Sequence, residues 1–251
     1  MVSEWVVAGL WGLIAGSALL VGALLAYFFK ISGRIVAAIM AFGAGVLISA
    51  ISLELMEESF QLGGFFNMVT GFLAGAVIFT AINLYLARNG ARHRKRSGKQ
   101  LKSDRTSEDN SLAIVAGSVI DGIPESIAIG LTIITGGAVS VATVVAIFIS
   151  NIPEGLSSTA GIKNAGWSFS SIFSMWLLIT VISGLASLAG YTIFSQLPNS
   201  VISFTLALAA GGILAMLVDT MIPEAFSETH DLAGLFTVFG FIISFALSQI
   251  G

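Results

Sequence analysis

All eleven Lys and Arg residues fall in three places, and that segregation constrains the fold more than any other feature of the 251-residue chain. Lys30 and Arg34 form one group. Arg88, Arg92, Arg94, Lys95, Arg96, Lys99, Lys102 and Arg105 form the second, and Lys163 stands alone. Long runs of Ala, Val, Ile, Leu, Phe and Gly separate them. Charged residues are only 10% of the chain and hydrophobic ones 56%, against roughly 25% charged in a soluble domain. So few charges cannot cover the surface of a water-soluble fold, so most of the chain must face lipid. At about 20 apolar residues per crossing, there is room for about seven to nine transmembrane helices.

The apolar runs predict helices over 5–29, 35–56, 65–86, 111–134, 139–161, 167–194, 201–222 and 232–250. This is an all-α polytopic membrane protein with eight transmembrane helices in one domain, 1–251. Eight crossings place all three basic segments on one face, and the excess of Lys and Arg makes that face cytoplasmic, with both termini external. A count wrong by one helix would scatter the basic residues over both faces. Residues 87–110 then form a flexible basic cytoplasmic loop with an acidic end (Asp104, Glu108, Asp109). Topological charge and headgroup attraction explain its basic run without a nucleic-acid partner.

His93 and His230 read as bystanders. The absence of cysteine excludes disulfides, thiolate metal sites and a Cys nucleophile. The N-terminus shows no cleavable signal peptide, since Glu4 stands where a basic region should be. The size of the chain suggests a prokaryotic plasma (inner) membrane. Small residues four apart (Gly12/Gly16, Gly71/Gly75, Ser126/Gly130) fit close helix packing in lipid. Gly43, Gly45, Gly211 and Gly212 are too common in such proteins to imply function.

Three carboxylates fall in mid-span: Asp121 and Glu125 in the fourth helix, Glu154 in the fifth. Each costs about 2.5–3.5 kcal/mol at a helix centre, on the order of 7–10 kcal/mol together, and no span supplies a Lys or Arg partner. The simplest reading makes them protonated, hydrogen-bonded glue. Their spacing favours a site where a cation or protons supply the missing charge. Asp121 and Glu125 are i and i+4 on one helical face, and Ser150 and Glu154 repeat the relation, with Asn151 beside them. Pro124 and Pro153 each precede a glutamate and free the carbonyls of Ile120 and Ile149, which need partners in a membrane. Two kinked helices of this kind would build an oxygen-lined cage at the midplane. Further acids end other spans: Glu54, Glu57 and Glu58 on the external side, Asp219 and Glu224 on the cytoplasmic side. Acids at both mouths and the middle suit a cation path. The likeness of the second and seventh helices hints that helices one to three are mirrored by six to eight.

Asp121-Gly122-Ile123-Pro124-Glu125-Ser126 and Ser150-Asn151-Ile152-Pro153-Glu154-Gly155 resemble the fourth-helix His-Asn-x-Pro-Glu-Gly signature of the ZIP (Zrt/Irt-like) divalent-metal transporters and its fifth-helix counterpart. The eight spans, the long third cytoplasmic loop and the Pro-Glu-Ala at Ala225 extend the resemblance over essentially the whole chain. It implies a 3+2+3 helix arrangement, import toward the cytoplasm, and a metal site between helices four and five with Glu125 and Glu154 central. Asn151 matches a polar ligand position. Asp121 stands where the family has His, Ser150 where it has His or another strong ligand, and Gly122 replaces the Asn. Ser187 stands where a Glu often occurs, and the third loop lacks the His-rich run. The candidate metal ligands are therefore Asp121, Glu125, Ser150, Asn151 and Glu154, fit for one ion rather than two. The family makes zinc the leading substrate, with manganese or iron as alternatives. The all-oxygen donor set leans toward harder ions.

No cofactor is implied beyond the transported ion. The partners are that ion and the lipid bilayer, and a homodimer is compatible with the sequence. Protons compete with metal for carboxylates, so uptake should weaken at acid pH. A proton- or sodium-coupled carrier of a small organic solute would share the buried acids, but no Lys, Arg, Trp or Tyr lies near 121–154 to bind a solute. An intramembrane hydrolase could use paired carboxylates, or Ser150 as nucleophile, yet no His or Lys at membrane depth would activate that serine. A non-catalytic scaffold leaves the costly acids unexplained. The chain is expected not to be an enzyme.

Overall fold

Inside hydrocarbon a backbone N–H or C=O has no water to bond, so an apolar chain closes its hydrogen bonds within helices. The computed structural model describes residues 3–86, 88, 107–136, 140–164 and 166–249, and is all-helical among them. The elements are α1 (Glu4–Phe28), α2 (Gly33–Ala50), a π-helical turn (Ile51–Leu55), α3 (Met56–Leu86), α4 (Ser107–Gly136) and α5 (Val141–Asn164). They continue with α6 (Phe169–Phe194), α7 (Asn199–Met216), a second π-helical turn (Leu217–Met221), α8 (Ile222–Thr229) and α9 (Ala233–Ser248).

Among the described residues six helices are long and apolar enough to cross a membrane. Two of them, Gly33–Leu86 and Asn199–Ser248, are 54 and 50 residues long. At about 1.5 Å per residue each is more than twice the length one crossing needs. The expected loops after 56 and 222 are thus replaced by helical backbone, because Glu, Gln and Leu after 56, and Glu and Ala after 222, are good helix formers whatever their polarity. Each long stretch leaves helical geometry at one residue. Gly64 has φ 73 and ψ 178, a conformation open to glycine. His230 has φ 42 and is the one non-glycine residue with positive φ among those described. The start of the fourth helix is also corrected: α4 begins at Ser107, not 111, so residues 107–110 are helix rather than loop. His93, Asp104 and the rest of 89–106 lie outside the described residues.

Helix packing follows one plan twice. α1 packs on α5 as α6 packs on α4, α2 on α5 as α7 on α4, and α2 on α9 as α7 on α3. The crossings repeat at residue level. A Cβ on Gly45 would collide with the Thr237 carbonyl, and one on Gly240 with the Phe42 carbonyl. In the other half a Cβ on Gly211 would collide with the Phe72 carbonyl and one on Gly75 with that of Leu208. Gly45 precedes Gly211 by the same number of residues as Phe42 precedes Leu208 and Gly64 precedes His230. In lipid no hydrophobic force joins helices, so such close backbone contact through small residues is what holds them. Gly12 against Ser187 and Gly71 against Phe204 show the expected small-residue pairs at work.

Candidate functional site

α4 and α5 both run through their proline as continuous helices. Each carries its acids on the side turned into the bundle: Asp121 is 3% exposed, Glu125 2% and Glu154 8%. Ser150 and Asn151 are buried with them. None of the five reaches the outer surface that Val141, Leu177 and Ile242 expose. Neighbouring backbones approach closely on either side. A Cβ on Gly155, next to Glu154, would strike Leu19 of α1, and one on Gly130 would strike Ser187 of α6. These glycines press α1 onto α5 and α6 onto α4, so the acidic segments are enclosed by protein.

The polar groups beside the acids divide by task. Ser150 Oγ donates to the Ile147 carbonyl at 2.9 Å, leaving its lone pairs to accept or ligate. Its Cα lies against Gly43 of α2, where a Cβ would sit 3.2 Å away. Asn151 Nδ2 donates to the Ala15 carbonyl of α1 at 3.2 Å, so half of that amide is spent on holding helices together. Ser187 Oγ donates to the Ala8 carbonyl at 2.8 Å; this position is part of the α1–α6 crossing. Two buried hydroxyls escape the sequence reading. Ser183 Oγ would lie 3.7 Å from a Cβ on Gly122. Ser158, one turn past Glu154, has no hydrogen-bond partner for its hydroxyl among the described residues. Its i+4 spacing from Glu154 was the available signal.

Among the described residues no three Asp, Glu or His side chains come together closely enough to hold one ion. A divalent cation here would meet at most two carboxylates and complete its shell with hydroxyl, amide, carbonyl and water oxygens, as hard cations do.

The acids at the helix ends are arranged unequally. Glu54 accepts hydrogen bonds from Ser140 and Thr143 at the start of α5. With Glu57, Glu58 and Gln61 it lines an open cleft of about 710 Å³, whose far wall includes Thr132 and Thr135. Glu57 accepts from Gln61 Nε2 at 2.8 Å. At the other end Asp219 is exposed and accepts from Asn83 Nδ2 of α3 at 3.2 Å, whereas Glu224 is buried at 8% exposure. The two acids of this end therefore differ in exposure, one on the surface and one inside. His230 is exposed, with its ring edge on Phe226.

No protein-family model matches the sequence, and no curated protein is significantly similar to it.

Proposed function

We propose that this chain is a divalent metal cation transporter of the ZIP type. It crosses a plasma membrane eight times in a 3+2+3 arrangement, with the two long stretches each crossing twice and reversing at Gly64 and His230. The contacts between helix ends support this path. Tyr191 donates to Glu4, and Ser140 to Glu54, at one set of ends. Lys163 Nζ donates to the Tyr27 carbonyl at 2.7 Å, and Gly33 lies beside Glu228, at the other. Alternating crossings send these two sets to opposite faces, as required. Lys30, Arg34, Arg88 and Lys163 all belong to the second set, which makes it cytoplasmic and both termini external.

The burial of Asp121, Glu125 and Glu154 carries the reading. Carboxylates enclosed at this depth, with no Lys or Arg within two turns along either helix, are costly, and a visiting cation offsets that cost. A hydrated ion comes in over the cleft of Glu54, Glu57 and Glu58. It exchanges part of its water for oxygens of at most two at a time of the carboxylates Asp121, Glu125 and Glu154, with Ser150 and Asn151 adding to the shell, and leaves past Glu224, with Asp219 further out. The twice-repeated packing plan supplies two similar bodies, and rocking one against the other alternates access. Oxygen donors and few carboxylates make for weak binding, which lets the ion go. Zinc leads as substrate, with manganese or iron next. Protons compete for the same oxygens, so uptake falls as pH falls. The chain is a carrier and not an enzyme.

The test is uptake by reconstituted liposomes compared across Zn²⁺, Mn²⁺, Fe²⁺ and Mg²⁺, with protein-free vesicles as control. Glu125→Ala and Glu154→Ala should abolish uptake while the protein still inserts. Normal transport by either variant sinks the site assignment.

A further inference from the structure

Glu54 is tied to a central helix, whereas Asp219 at the opposite end is tied to Asn83 of α3. It sits in the π-helical turn Ile51–Leu55 that joins α2 to α3. Its Oε2 accepts from Ser140 Oγ and from Thr143 Oγ1, the latter at 2.7 Å. Both donors belong to the first turn of α5. Ser140 Oγ accepts from Thr143 N at 3.1 Å, and the Ser140 carbonyl accepts from Val144 N at 3.1 Å, so Ser140 is the cap of that helix. The carboxylate thus also faces the positive end of α5, where an anion is favoured.

The other half of the molecule lacks this arrangement. Thr220 occupies the place in Leu217–Met221 that corresponds to Glu54, and its Oγ1 donates to Met216 O within its own helix at 2.7 Å. The acid of that turn, Asp219, is tied to Asn83 on the outer surface. Among the described residues, then, an acid joins a π-helical turn to a central helix at one end only. A repeated fold with one unequal tie has a built-in direction.

We propose that Glu54, Ser140 and Thr143 form a latch that holds the start of α5 against the α2–α3 half, and that Ser150 and Glu154 are reached from the cleft only when it is undone. Between the latch and Ser150, α5 presents Ile147, 2% exposed, one turn from each. While α5 is held, this apolar turn separates the open cleft from the oxygens below. Movement of α5 away from the α2–α3 half opens the way, and re-forming both hydrogen bonds closes it. The gating role rests on the transporter reading; the accessibility claim stands on the contacts alone.

The chain contains no cysteine, so one introduced thiol reports without background. Ile147→Cys is made in the full chain, alone, with Glu54→Ala, and with Ser140→Ala plus Thr143→Val. Sealed vesicles that present the cleft end to the medium are treated with a membrane-impermeant thiol reagent. Breaking the latch from either side should speed labelling about tenfold, the effect expected of losing a hydrogen bond to a charged group. Glu54→Ala leaves the α5 cap intact and so separates unlatching from fraying of that helix. An increase below about threefold in Glu54→Ala overturns the latch. Labelling needs no substrate. If it responds as expected while the unaltered chain takes up no metal, the latch stands and the transport reading falls.

Discussion

Substitution of the paired glycines tests the duplicated packing with numbers. In Gly45→Ala the new methyl would overlap the Thr237 carbonyl and lie 2.9 Å from Phe241 N. In Gly211→Ala it would overlap the Phe72 carbonyl and lie 3.0 Å from Phe72 Cα. Both obstacles are backbone, so no side chain can swing aside and the helices must part by roughly an ångström. A gap of that size forfeits about a quarter to a half of each dispersion contact, and in lipid those contacts are the main attraction between helices. Overpacking of this kind reaches about 3 kcal/mol. The better helix propensity of Ala returns about 1 kcal/mol. A net loss of about 2 kcal/mol is expected for each, equal within about 0.5 kcal/mol because the two positions are counterparts. Gly45→Ala with Gly240→Ala should cost less than the sum, since both part the same α2–α9 interface. Gly45→Ala with Gly211→Ala should be additive, since they act on separate interfaces. Gly234, where a Cβ would meet nothing within 4 Å, is the control, and Gly234→Ala should lose no stability. Reversible unfolding in mixed detergent–lipid micelles, followed by tryptophan fluorescence, reads these variants together with the Gly240→Ala single variant that the sum requires. A cost of about 2 kcal/mol at Gly45 with none at Gly211 would refute the repeated plan, as would an equal cost at Gly234.

Three further outcomes follow from the placement of polar and charged groups. Asp219→Asn should leave metal uptake within about twofold of the parent, because Asp219 faces outward onto Asn83 and surface hydrogen bonds contribute little. Glu224→Gln should cut uptake severalfold, because that carboxylate is buried; the reverse order would remove Glu224 from the path. Single cysteines at Gln61 and Lys163 should label from opposite faces of sealed vesicles, Gln61 from outside. Labelling from the same face would eliminate the eight-crossing path.

Local chemistry made much of this visible in the sequence. The apolar runs marked α1, α4, α5 and α6 to within a few residues, and the Pro-Glu pairs marked the helices that bury acids. Hydropathy failed where charge and backbone disagree. Glu54, Glu57 and Glu58 read as the end of a span, although glutamates extend a helix as readily as leucines do. The same blindness set the start of α4 at 111 instead of Ser107. The spacing from Gly45 to Gly211 and that from Gly75 to Gly240 differ by a single residue, and this near-constancy is the residue-level trace of the repeat, which sliding the chain along itself exposes. Nothing local announces the bond from Asn151 to the Ala15 carbonyl. The tie from Glu54 to Ser140 joins residues 86 positions apart and has no local signature at all.

The central claim is that a divalent cation neutralises the carboxylates enclosed by α4 and α5. Equilibrium binding of Zn²⁺ to the reconstituted chain, compared with the Glu125→Gln/Glu154→Gln double variant, addresses it most directly. Saturable binding of one ion per chain that disappears in the variant is the predicted result; equal binding by the two proteins contradicts the claim.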